Sequence, residues 1–539
     1  MRRKLVTRVS ALALACAMVF SAAACGKKEA NTAAPSSSAS STTSTVSLKP
    51  KNIDMAQVKG KSNRDLVVAS SGDTTTLDYI EAGNSAAVEV LRPVMETLVR
   101  YNEQGKLVPW LASSYKRLDD RSWEFKLRKG VKFQNGEEMK ASDVIFSMKR
   151  ATTPAAANVA YIMSLIDPNG FEAPDDYTVI VRTKIPFGSF IGYMPYIGAS
   201  IVSEKAYQSP DASTHPVGTG PYEFVEYKKG QYTKYKAFKD YWGGKPGADT
   251  LTIKPIPDVT SRYTALETGE VDIAPVTVNE VGQIQGNNKL NLSSHPTTVF
   301  TTLNFNTTKA PFDNVKFRQA IDYAIDEPGI VKSVFRGSAQ YTPGPVTPQQ
   351  QYFDKSAKPK YDVAKAKQLV KESGVDLGKT YEIATSNSQT RIDEATIIQQ
   401  QLANIGVKTT IRKMESAAYN DYMTGKDKDM FFSGWGAVGF PDPDNNVYGP
   451  LYSGGIPDNN TTFYNDPKMD EMLQKERALP NGPEREKLIV DIQQKIREDT
   501  PYTTLENTVN IIGYQTYVKG FSAQAAIDQY YNNVSLKTS

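Results

Sequence analysis

Histidine is nearly absent from these 539 residues: His215 and His295 are the only two, and each precedes a proline in a Ser/Thr/Pro-rich stretch. Neither sits in a recognisable set of metal ligands, and acid–base catalysis by histidine is poorly supplied. Gly434, Gly436 and Gly439 have the G-x-G-x-x-G spacing and follow a predicted strand over 429–433. A dinucleotide would then need a helix N-terminus to hold its pyrophosphate. Pro441, Asp442, Pro443 and Asp444 predict an extended acidic loop instead, which repels phosphate, so the match is accidental. Asp442, Asp444 and Asn446 imitate the opening of a calcium loop. However, Val447 replaces the turn glycine and Ser453 the bidentate glutamate that such a loop requires. Ser113 and Lys116 have the S-x-x-K spacing of some acyl-enzymes without a partner motif, in a segment, Leu111 to Tyr115, that reads as packing. No catalytic residue, metal or cofactor is assigned. Read as an enzyme, the chain would be a secreted hydrolase acting on peptides or glycans, and no recognisable nucleophile–base or carboxylate pair supports that reading.

The two cysteines, Cys16 and Cys25, belong to the N-terminus. Arg2, Arg3, Lys4 and Arg8 give a positive start, 9–20 is apolar, and Ser21, Ala22, Ala23 and Ala24 lead to Cys25. That apolar stretch is too short to span ~30 Å of hydrocarbon and reads as a signal peptide over 1–24. The Ala-Ala-Ala-Cys junction resembles a bacterial lipobox, with Ala22 where leucine is usual. The resemblance implies that Cys25 is acylated and anchors the protein to the outer face of the cell membrane. Residues 29–47 are almost wholly Ala, Ser, Thr, Asn and Pro, the composition of a solvated tether, so 25–61 is assigned as lipidated cysteine and linker. With Cys16 removed, the folded part holds no thiol for a disulfide, a nucleophile or a metal. The whole chain has 63 Lys+Arg against 59 Asp+Glu, and loss of 1–24 leaves 59 of each. A nucleic-acid binder should keep a basic excess.

What remains must be built from several cores, since about 480 residues exceed one comfortable core. Trp123, Phe125 and Leu127 alternate with Glu124, Lys126 and Arg128, which predicts a half-buried strand. Ser142 is expected to cap a helix bearing Val144, Ile145 and Met148. Asp362 should cap another, running through Leu369 and Val370 to Gly374, and 407–411 reads as a strand after the Ile405-Gly406 turn. The class is mixed α/β.

Short motifs recur in order along the chain: Glu96-Thr97-Leu98, Leu107 to Ala112 around Trp110, Gly130-Val131-Lys132-Phe133 and Gly218-Thr219-Gly220-Pro221-Tyr222. Tyr241-Trp242-Gly243-Gly244, Leu266 to Asp272, Asn304-Phe305-Asn306, and Gly434-Trp435-Gly436 with Asp442-Pro443-Asp444-Asn445 follow. In this order the chain resembles family 5 of the extracellular solute-binding proteins, which serve peptide and nickel ABC importers.

The resemblance implies a two-lobe periplasmic-binding-protein-like fold (class II, cluster C type) with an extra domain inserted in the first lobe. It maps lobe I to 62–100, 215–305 and 506–539, the inserted domain to 101–214 and lobe II to 306–505. The partners implied are a small solute or short peptide and ABC permease subunits with cytoplasmic ATPases, the protein acting as a monomer that binds no nucleic acid. Arg391 corresponds to an arginine that grips the ligand carboxylate in the dipeptide binders of the family. Val438 falls where peptide-binding relatives usually carry an aspartate for the ligand ammonium. An ammonium left unpaired there would cost several kcal/mol, on the order of a buried lone charge. Either Asp442 substitutes, or the ligand is amine-blocked or a non-peptide solute such as an oligosaccharide. Trp435, Gly436, Phe440 and Tyr448 would line an aromatic pocket, and Asn84 and Ser85 the contribution of lobe I. A receptor for signalling peptides would share this fold.

Overall fold

The computed structural model describes residues 46–102, 105–436, 440–524 and 529–539; Cys25 and Val438 lie outside them. Among the described residues eleven strands form one mixed sheet. Its order runs Lys408–Met414, Thr380–Ser386, Met430–Trp435, Leu290–Phe305, Tyr502–Gln515, Ile273–Pro275, Asp65–Ser70, Thr250–Pro255, Tyr232–Ala237 and Tyr222–Lys228. Ala339–Tyr341 adds to Tyr502–Gln515 off this path.

Leu290–Phe305 and Tyr502–Gln515 are the two strands that hold this sheet together. They pair antiparallel along most of their length, and the register breaks between Pro296 and Phe300. Before the break, Leu290 to Pro296 face 509–515 beside Ile273–Pro275. After it, Phe300 to Asn304 face 502–507 beside Met430–Trp435. Each crossing strand therefore serves both halves of the sheet, with an irregular step at 297–299 between them.

The apolar cores divide in the same way. One cluster joins Leu66, Val68, Leu251 and Ile253 to Phe125, Val179 and Val181 of a separate four-stranded antiparallel sheet. A second gathers Leu303, Phe305, Ile383, Ile398 and Leu402, and a third Val447, Leu451, Leu473 and Ile489.

Several local signals are realised. Asp362 Oδ1 accepts from the Lys365 amide at 2.9 Å, and the helix Val363–Ser373 ends at Gly374 with φ 67°. Gly406 turns with φ 84° into Lys408–Met414. Ser142 is a correction: the helix Ala141–Ala151 begins before it, and Asp143 closes the start by accepting from the Lys140 amide at 2.9 Å. A carboxylate two residues inside the helix reaches back to the exposed amide, which a first-turn serine cannot do.

Many of the shared motif residues are structural. Buried Glu96 accepts from Trp110 Nε1 at 2.7 Å, Tyr241 OH at 2.8 Å, Trp242 Nε1 at 2.9 Å and Thr219 Oγ1 at 2.8 Å. Burial pushes its carboxyl up, and the four donors oppose that shift.

The last part of the expected linker lies on the body. Lys51 Nζ donates to the carbonyls of Ile284 at 2.9 Å and Asn287 at 2.6 Å, and its amide to Asn291 Oδ1 at 2.8 Å.

Candidate functional site

Arg391 stands in the first turn of the helix Gln389–Ala403, which connects the parallel strands Thr380–Ser386 and Lys408–Met414. The helix seats itself through Ala395, Ile398 and Leu402, which are buried, and this leaves its N-terminal turn beside the crossing strands. Arg391 Nη1 donates to Glu506 Oε1 at 2.7 Å and to Glu394 Oε2 at 2.5 Å, and Nη2 donates to Thr301 Oγ1 at 2.9 Å. Thr301 and Glu506 come from the two crossing strands, just past the register break. Both carboxylates are wholly buried, while the arginine keeps 23% of its side chain exposed. Burial, then the negative charge of Glu506, pushes the Glu394 carboxyl well above the ordinary range. The two carboxylates hold the guanidinium charged against its own desolvation.

Trp435 and Gly436 meet the same region. Trp435 pairs with Phe300, and its Nε1 donates to the Asn445 carbonyl at 2.6 Å. Gly436 has φ 120°, and a Cβ there would lie 2.5 Å from the Thr298 carbonyl oxygen. Only glycine lets this chain approach the step in the crossing strand so closely.

The other expected residues go elsewhere. Asp442 is 4% exposed and grips Arg485 through two bonds of 2.8 Å, while its Oδ1 also accepts from the Asp444 amide at 3.0 Å. Its carboxylate is engaged by the protein, which is no arrangement for clamping a ligand ammonium. Asp444 is held by Arg477 through two 2.8 Å bonds and by the Tyr193 hydroxyl. These same ion pairs fill the calcium-like motif. The expected extended loop also ends early, because the helix Asp444–Leu451 begins directly after Pro443.

Phe440 is buried in the core that holds the four-stranded sheet, with ring centres 5.1 Å from Tyr193 and 6.3 Å from Tyr196. Tyr448 stacks on Tyr452 at 4.7 Å and carries the Arg477 guanidinium 3.3 Å above its ring. Phe440 therefore belongs to a different core from Trp435 and Tyr448, and the three do not form one aromatic wall. Asn84 accepts from the Ala87 amide at 2.9 Å and donates to Thr75 Oγ1 at 3.1 Å, and Ser85 opens the short helix Ser85–Leu91. Of the nine expected binding residues, the structure brings Arg391, Trp435 and Gly436 together at the crossing strands.

Glu394, Glu506 and Thr301 were not anticipated. Glu506 had a signal, since it is the only charged residue between 500 and 518. The arrangement can bind an anion: Arg391 Nε and one Nη2 hydrogen carry no bond to any described residue, and a carboxylate fits that fork. Among the described residues no group of three or more His, Cys, Asp or Glu could hold a metal ion, and no helix is long and apolar enough to cross a membrane.

Comparison with known proteins agrees with this layout. A family model described as bacterial extracellular solute-binding proteins, family 5, middle region, matches residues 106–458. The glutathione-binding protein GsiB of Pectobacterium atrosepticum is 32% identical over 458 residues, covering 82% of this chain and 88% of that protein. Among solved structures, the ABC transporter-associated binding protein DppA of Helicobacter pylori, in complex with the peptide STSA, aligns with TM-score 0.74 at 28% identity, over 89% of this chain and 99% of its own. The oligopeptide-binding protein AppA of Bacillus subtilis, with a nonapeptide, aligns with TM-score 0.73 at 26% identity, over 89% and 100%.

Proposed function

Because this chain belongs to the bacterial extracellular solute-binding proteins of family 5, we propose that it captures a short peptide with a free carboxylate and delivers it to the permease of an ABC importer. The observation that carries the reading is Arg391, bonded to a side chain of each crossing strand with one edge of its guanidinium uncommitted. Two halves of a sheet joined by such strands can close on a ligand and exclude water around it. The glutathione-binding and peptide-bound relatives support a peptide as the cargo. The protein works outside the cell, held to the membrane by acylated Cys25, as a monomer without catalytic activity.

A narrower reading of the ligand follows from Asp442 and Asp444. Both are neutralised by buried arginines, so neither supports recognition of a free ammonium. The carboxylate end then dominates recognition, and amine-blocked peptides are accepted as well as free ones.

Titration calorimetry with reduced glutathione and with Ser-Thr-Ser-Ala tests this directly. Arg391→Met should weaken binding about a hundredfold, within the usual range for breaking a hydrogen-bonded charge pair. Amidating the peptide C-terminus should cost about as much, and acetylating its N-terminus little. Equal losses from acetylation and amidation would reject the one-ended reading. Mass spectrometry of the mixtures should show retention without cleavage.

A further inference from the structure

We propose that the buried Glu394–Glu506 pair is the proton acceptor of the capture site, so that binding of a carboxylate at Arg391 draws one proton from solvent onto that pair. This rests on the reading of Arg391 as the carboxylate partner and adds a regulation to it.

The geometry starts from charge. A single guanidinium nitrogen, Arg391 Nη1, bonds both carboxylates, at 2.5 Å and 2.7 Å, and neither acid is exposed to solvent. Each acid also has a buried oxygen with no partner among the described residues, Glu394 Oε1 and Glu506 Oε2. Two buried negative charges against one positive charge leave an excess that low dielectric penalises. One shared proton removes that excess, as in carboxylate pairs that cannot both ionise. The resting cluster is then Arg391⁺, one carboxylate and one carboxylic acid, with no net charge.

A ligand carboxylate at the open edge of Arg391 adds one negative charge to this neutral cluster. The surroundings provide little to offset it. Across the sheet, Tyr341 is the strand partner of Glu506, and beyond Tyr341 lie Glu327, Asp322 and Arg497. On the helix Ser416–Thr424, Tyr419 feels the Arg391 charge. From the other crossing strand, Thr301 offers only a hydroxyl. Neutrality returns when a proton passes from solvent to the remaining carboxylate of the pair and the incoming carboxylate takes its place as counter-ion to Arg391. Glu394 and Glu506 are positioning residues in this account: they aim the guanidinium and set the charge at which it accepts an anion.

The experiment is calorimetry of reduced glutathione and of Ser-Thr-Ser-Ala in two buffers of different ionisation enthalpy, between about pH 5 and 7, where the probes hold their own charge. Wild-type protein should take up close to one proton per ligand in part of that window, with Kd rising by up to about tenfold per pH unit. The double variant Glu394→Gln with Glu506→Gln, which removes both acceptors, should bind with no proton uptake and a flat pH profile, a readout that a purely structural role would not produce. The amidated peptide, which lacks the carboxylate, should also bind without uptake. If neither probe binds, the capture reading and this inference fall together. If both bind and Arg391→Met changes nothing, the arginine reading falls and takes this inference with it. If Arg391→Met weakens binding while wild-type protein takes up no proton, this inference alone is overturned; that measurement needs no Glu506 variant to fold.

Discussion

Lys428 is almost fully buried, and its ammonium lies 4.5 Å from the ring centre of Phe431 and 4.6 Å from that of Phe463. It donates to the Met423 carbonyl, and among the described residues no carboxylate pairs with it. Burial pushes it down to about 7 from its ordinary 10.5. Above about 7 the folded chain has released this proton while the unfolded chain keeps it, so stability rises with pH from there toward 10.5. Below about 7 the burden is fully present and constant. Lys428→Met should therefore raise the thermal midpoint by about a few degrees at pH 6, an advantage that shrinks toward pH 10. An equal gain at both pH values would mean that packing and not charge is responsible. Side chains such as this one show why the site was only partly legible. The expectation for Arg391 rests on family resemblance, and nothing local tells whether an arginine faces a ligand or a carboxylate of its own chain. Here it faces two carboxylates and retains a free edge. Glu506 is a lone charge in a neutral strand, a signal that went unread, and its partner lies 115 positions away.

Between residue and molecule stands the turn after Phe440. Its Asp442 and Asp444, with Glu476, Arg477 and Arg485, form a buried ionic cluster that reaches Ser189 and Tyr193 of the segment beside the four-stranded sheet. The Gly188 amide adds a 2.8 Å bond to the Arg477 carbonyl. Phe440 completes the contact by entering the apolar core next to Tyr193. Asp442→Asn would leave Arg485, which has no exposed side-chain surface, short of a counter-charge. The expected cost is about 3–5 kcal/mol of stability, in the range for breaking a buried pair. The ratio of affinities for free and N-acetylated Ser-Thr-Ser-Ala should not change, and a shift of that ratio would return Asp442 to the binding site. Proline and aspartate in alternation were read as an extended loop because both disfavour helix interiors. That logic fails at a helix start, where proline and acidic side chains are favoured, and Asp444 opens a helix. The helix at 363–373 was legible because an aspartate cap and a closing glycine act locally.

Strand order belongs to the whole molecule, and no local signal reports it: Leu290–Phe305 and Tyr502–Gln515 meet although Leu290 and its partner Gln515 are more than two hundred residues apart. The two-lobe expectation came from resemblance for that reason. Composition also hid where the tether ends, since polar residues can lie on a surface as readily as in solvent. The segment from Val46 packs Val46 and Leu48 against an apolar cluster that includes Leu290, Leu292 and Ile511 of the crossing strands. The Leu48 carbonyl accepts from Ser294 Oγ at 2.9 Å, and the Val46 amide donates to the Arg336 carbonyl at 3.1 Å. Lys51 closes the C-terminus of the helix Val278–Gly286, a favourable place for a cation against the helix dipole. One strap thus touches the crossing strands, a helix that packs on them and the turn at Arg336. A chain beginning at residue 46 should therefore melt a few degrees above one beginning at residue 53, on the order of 1–3 kcal/mol for the buried apolar side chains and the cap together. Lys51→Met should fall between the two, because it loses the cap and keeps the apolar contacts. If all three melt together, the strap only decorates the surface, and the expected tether functionally continues past residue 52.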